Sequence, residues 1–104
     1  GVTPEDQEEG KRGLSMAENL VQSKKYDLVV LDEINSSVSL GIVDEGQVLR
    51  FLDQRPSTVE MILTGRNAPA SFQERAHVVQ NIGGRTWSLC GRRHGCCRPP
   101  PRRR

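Results

Sequence analysis

Residues 26–33, Tyr26-Asp27-Leu28-Val29-Val30-Leu31-Asp32-Glu33, set four consecutive apolar residues between acidic ends. Two of the four are β-branched and the run offers no polar face to water. That pattern predicts an interior strand of a parallel sheet over 28–31.

Outward from this run the chain alternates between helical and strand patterns. On its N-terminal side, Thr3, Pro4, Glu5 and Asp6 combine a capping hydroxyl, a proline suited to the first helical position and acids that favour the dipole's positive end. A helix is expected to start there. Leu14, Ala17, Leu20 and Val21 recur at three- and four-residue spacing and give it one apolar stripe, which Gly10 and Gly13 weaken early and which ends by 23–25. On the C-terminal side, Ser36, Ser37 and Gly41 lead to Asp44, a cap for a helix carrying Val48, Leu49, Phe51 and Leu52. Gln47 strengthens that cap and Pro56 closes the helix. Residues 58–64 read as a second strand, Pro69 opens a short third helix holding Phe72 and Ala76, and Val78 and Val79 form a brief third strand. The alternation predicts an α/β fold, a mostly parallel sheet in a three-layer arrangement with helices over its faces.

With 104 residues, the chain suits one small domain that buries about two-thirds of its unfolded surface, which leaves little room for a large private cavity. Charge divides it. All thirteen acidic residues lie at or before Glu74, against eight basic residues in 1–80, whereas 81–104 hold seven arginines and no acid. The expected organisation is a folded body over 1–80 and a disordered Arg/Pro/Gly/Cys-rich basic tail over 81–104, whose composition is that of GC-rich coding DNA read out of frame. Cys90, Cys96 and Cys97 are an odd set crowded into that tail, not a disulfide framework, and with His94 they have no usual zinc-ligand spacing. The tail's arginines with Trp87 offer an alternative function, nucleic-acid binding by phosphate neutralisation and base stacking. No membrane span or secretory leader is legible, so the expected setting is cytoplasmic. A start at Gly1 leads us to expect that the natural N-terminus lies further upstream.

In an open parallel sheet, ligands bind beyond the carboxyl ends of the strands. Asp32, Glu33 and Asn35 follow the first strand directly, and four apolar residues leading into Asp-Glu match the Walker B pattern, in which a strand lifts a carboxylate towards magnesium on nucleotide phosphates. The same two acids also fit a strand that merely ends at the surface. Thr64, Gly65, Arg66, Asn67, Ala68 and Pro69 follow the second strand. There Gly65 permits close backbone approach and Arg66 offers a planar donor fork to phosphate oxygens. His77 reads as a strand-edge residue, Met16 and Met61 as core filler, and Tyr26 and Phe51 as packing residues.

DLVVLDEIN at 27–35 followed by LTGRNAP at 63–69 resembles the ATP:corrinoid adenosyltransferases, and the likeness runs through residues 1–80. It implies the C-terminal part of a P-loop NTPase-like fold, homodimeric in the full-length family, in which a cobalt(I) corrinoid attacks the 5′ carbon of ATP and triphosphate leaves. By the resemblance Asp32 holds Mg2+, Glu33 supports it, and Asn35, Thr64, Gly65, Arg66 and Asn67 line the nucleotide and corrinoid side. The sequence departs from the family in three places. It holds no GxxxxGK[ST] stretch, the backbone cradle and lysine for triphosphate. It shows Gly1-Val2-Thr3-Pro4 where the family has a Gly, aromatic, Thr, Trp stretch, and its last residues match nothing there. The expectation is that this segment alone binds ATP poorly and is inactive by itself.

Overall fold

A computed structural model describes residues 1–91. Helix α1 spans Pro4–Gln22, and its start is fixed locally. The Thr3 hydroxyl accepts from the Asp6 amide while the Asp6 carboxylate accepts from the Thr3 amide, a reciprocal cap with proline in the first turn. Leu14, Ala17 and Val21 face the core. Strand β1, Leu28–Leu31, is followed by a one-and-a-half-turn helix α2, Ile34–Ser39, and then α3, Glu45–Gln54. The Asp44 carboxylate caps α3 by accepting from the Gln47 amide at 3.0 Å. Arg55 turns extended before Pro56 and ends it. Strand β2, Glu60–Gly65, the short helix α4, Ala70–Arg75, and the strands β3, Val78–Ile82, and β4, Arg85–Cys90, complete the order.

The sheet runs β1-β2-β4-β3, so β1, expected as an interior strand, is an edge strand among the described residues. β1 and β2 are parallel, Leu28 opposite Glu60 and Leu31 opposite Leu63. β4 pairs antiparallel with both β2 and β3. The expectation of a mostly parallel sheet is therefore corrected to a mixed one, and the expectation of a disordered tail from 81 is corrected as far as Gly91. The cause is a two-residue hairpin. Gly83 and Gly84 both take positive φ, 60° and 79°, the geometry of a type I′ turn, whose twist suits antiparallel strands and which glycine adopts without strain. β4 then alternates, Thr86, Ser88 and Cys90 buried and Trp87 outward. Trp87 and Arg85, both read as tail residues for nucleic acid, are thus part of the sheet. Cys90 is buried, while His94, Cys96, Cys97 and the arginines after Gly91 lie outside the described residues.

The core sits on one face of the sheet. Met61 and Leu63 of β2 and Cys90 of β4 meet Leu14, Ala17 and Val21 of α1, Val48, Phe51 and Leu52 of α3, and Phe72 of α4. Arg75 of α4 grips Asp53 of α3 through two parallel bonds of 2.8 and 3.2 Å. The three-layer expectation is corrected as well: among the described residues the opposite face is bare. Leu28, Val30, Val78, Ile82 and Trp87 are 43–63% exposed there. Two packing expectations fail beside it. Met16 lies off the α1 stripe and is 64% exposed, and Tyr26 is 50% exposed at the open end of β1. Phe51 and Met61 pack as expected. His77 stands at the sheet's edge, its Nδ1 accepting from the Gly91 amide.

Candidate functional site

The parallel pairing of β1 with β2 brings the ends of both strands to one edge, so Asp32 and Thr64 become neighbours although 32 positions separate them. One hydroxyl joins them. Thr64, fully buried, donates through Oγ1 to Asp32 Oδ1 at 2.8 Å and accepts from the Glu33 amide at 3.0 Å. The Asp32 side chain remains 78% exposed. Its carboxylate is oriented by protein on one side and open to solvent on the other.

Glu33 takes φ 61°, a left-handed conformation uncommon outside glycine and asparagine, and stands at the N-cap of α2 without a side-chain capping bond. Its own carboxylate accepts from Ser36 Oγ at 3.2 Å and pairs with Arg85. Arg85 also stands 3.9 Å from Asp32 Oδ1. Two carboxylates and the Arg85 guanidinium therefore meet at the strand end, with the β4 register, Thr86 opposite Gly65, placing that arginine.

Gly65 has φ +129°, and a Cβ there would lie 3.0 Å from Ser36 Oγ and 3.1 Å from the Ser36 amide nitrogen. No other residue permits both that conformation and that closeness. The Arg66 amide donates to Ser36 Oγ at 3.1 Å. Its guanidinium lies over Gly84, where a Cβ would meet Nη1 at 2.8 Å. Arg66 and Asn67 are exposed, and Asn67 adopts φ 56°.

Of the residues marked from sequence, Asp32, Glu33, Thr64, Gly65, Arg66 and Asn67 gather at one edge. Asn35 belongs underneath it. Fully buried, it donates through Nδ2 to the carbonyls of Gly65 at 3.1 Å and Thr86 at 3.2 Å. It clamps the end of β2 to the start of β4 instead of opening to solvent, and its Oδ1 has no hydrogen-bond partner. Sequence reasoning missed Ser36 and Arg85. Ser36 is legible as a hydroxyl three residues after Glu33, on the same helical side. Arg85 is legible only once Gly83-Gly84 is read as a hairpin turn.

A family model described as ATP:corrinoid adenosyltransferase BtuR/CobO/CobP matches residues 2–86. Two curated relatives match. One is an uncharacterized protein of Nostoc sp. strain PCC 7120, 40% identical over 75 residues, 72% of this chain and 20% of that protein. The other is a corrinoid adenosyltransferase of Sinorhizobium sp., 34% identical over 67 residues, 64% of this chain and 31% of that protein. The chain thus spans between a fifth and a third of the length of these relatives. No solved structure matches. The matched span contains both strand ends and the turn that carries Arg66, and on that match the chain belongs to the ATP:corrinoid adenosyltransferase family.

Proposed function

We propose that this chain supplies the magnesium-facing edge of an enzyme that transfers the 5′-deoxyadenosyl group of ATP to cob(I)alamin or a related corrinoid, within a P-loop fold. The observation that carries the reading is the Asp32 carboxylate, held on one side by Thr64 and open on the other.

The donor set suits magnesium, which binds oxygen, keeps several waters and uses one or two carboxylates together with substrate phosphates. Among the described residues no group of three or more His, Cys, Asp or Glu could hold a metal ion. By the family resemblance Asp32, oriented by Thr64 and open to solvent, would hold it, with Glu33 in support and phosphate oxygens completing the shell. Magnesium bound there would neutralise charge on the departing triphosphate. Thr64 fixes Asp32 before substrate arrives, so no reorientation is needed at the moment of reaction. Arg66, exposed beside the same edge, offers its planar fork to phosphate oxygens. Gly65 and Asn67 shape the turn that presents it, and Asn35 holds that turn from below.

The 104 residues contain no GxxxxGK[ST] stretch. The triphosphate cradle would have to come from residues outside this sequence, and the segment alone would be inactive. The test is a graft. The 67 residues of this chain that match the Sinorhizobium corrinoid adenosyltransferase replace their counterpart in it, and adenosylation of a reduced corrinoid is assayed. The reading predicts activity in the graft and loss of at least about a hundredfold on Asp32→Asn, the scale at which one preorganised electrostatic contact acts. A folded graft with unchanged turnover after Asp32→Asn overturns it.

A further inference from the structure

A divalent cation and a guanidinium seek the same carboxylate oxygens. At this edge the guanidinium is already in place. Arg85 opens β4 directly after the Gly83-Gly84 turn, and its position follows from the sheet register. It pairs with Glu33 and lies 3.9 Å from Asp32 Oδ1, with its side chain only 34% exposed. The Asp32–Glu33 pair carries a formal charge of −2, which Arg85 lowers to −1, while the Arg66 guanidinium stays over Gly84 in either case.

We propose that Arg85 is the resident counter-cation of the Asp32–Glu33 pair and sets how tightly a bare divalent cation binds there. This rests on the magnesium reading above. The residue lies outside the loop motifs because it stands 16 positions beyond Pro69, on a strand that returns to the site. One nitrogen of Arg85, Nη2, faces both carboxylates, and the charge of an arginine stays fixed at any working pH. A cation entering the tip must displace or face that charge at close range, where charge–charge interaction across a partly desolvated surface is several times stronger than in bulk water. Bare metal is therefore held weakly, and removing the arginine's charge tightens it.

The probe is Mn2+, with binding to the 104-residue chain followed by electron paramagnetic resonance of the unbound ion. Arg85→Gln is expected to bind Mn2+ roughly tenfold more tightly than the unmodified chain, equivalent to about 1.4 kcal/mol. Arg85→Lys, which keeps the charge, is expected to stay near the unmodified value. It also separates an electrostatic role from a structural one in β4. Asp32→Asn in the Arg85→Gln background is expected to abolish the gain. Equal or weaker Mn2+ binding by a folded Arg85→Gln chain overturns the inference about Arg85 while leaving the metal reading intact. A gain of equal size in Arg85→Lys also overturns it. Binding that survives Asp32→Asn in every background, or no binding in any of them, overturns the metal reading and this inference with it.

Discussion

Replacing Thr64 by valine removes one hydroxyl and almost no volume, which makes it the cleanest probe of the site's construction. Thr64 Oγ1 donates to Asp32 and accepts from the Glu33 amide. Valine can do neither. The Asp32 carboxylate is exposed, so water replaces the lost donor there and little stability is lost. The Glu33 amide is different. It sits in a part-buried, left-handed residue, and an amide deprived of its partner in such a place costs about 1–3 kcal/mol. Taking about 2 kcal/mol, the melting temperature of a domain this size falls by about 8–16 °C. Thermal unfolding followed by circular dichroism measures the change. Thr64→Ser, which restores the hydroxyl, is expected to recover most of it, and amide exchange at Glu33 is expected to speed up in the valine variant only. Unchanged melting in Thr64→Val, or equal losses in Thr64→Val and Thr64→Ser, refutes the hydroxyl bridge as the site's organising contact.

Gly65→Ala puts a Cβ at φ +129° within 3.1 Å of the Ser36 amide nitrogen. Conformational strain and crowding together predict a loss of about 2–4 kcal/mol in urea unfolding. Asn35→Ala strips the Gly65 and Thr86 carbonyls of a buried donor, and a loss of about 2–4 kcal/mol is expected in the same assay. Arg66→Ala is expected to leave stability within about 0.5 kcal/mol, since the side chain is exposed. In the grafted enzyme it is expected to raise the apparent KM for ATP, which steady-state kinetics reads directly.

What was legible in the sequence is what local chemistry decides. The caps at Thr3 and Asp44 and the stop at Pro56 read correctly because the residues that act are within a few positions of one another, whereas the apolar run 28–31 gave a strand but not its place, at the edge instead of the interior of the described sheet. α2 was not legible. Its sequence, Ile34-Asn35-Ser36-Ser37-Val38-Ser39, has poor helix propensity, and it starts from Glu33 without a side-chain cap. The order β1-β2-β4-β3 rests on long-range pairing, which no local pattern encodes. β4 was hidden by composition, because Gly, Arg and Cys outweighed the alternation of Thr86, Ser88 and Cys90. Yet two glycines between Val78–Ile82 and Arg85–Cys90 carry a hairpin signal that position reveals and average composition erases. The site followed the same division. Strand-end residues were found, since a strand's end is a local property. Asn35 was assigned to ligand, whereas its burial beneath Gly65 turned it into a clamp.

The central claim is that the open edge at Asp32 and Thr64 receives the metal ion, and paramagnetic broadening of backbone amides by Mn2+ tests it on the chain itself. The account predicts that broadening concentrates at Asp32, Glu33, Thr64, Gly65 and Arg66 and disappears on Asp32→Asn. Broadening centred instead on the acidic first turns of α1, at Glu5, Asp6, Glu8 and Glu9, with the strand ends untouched, would contradict it.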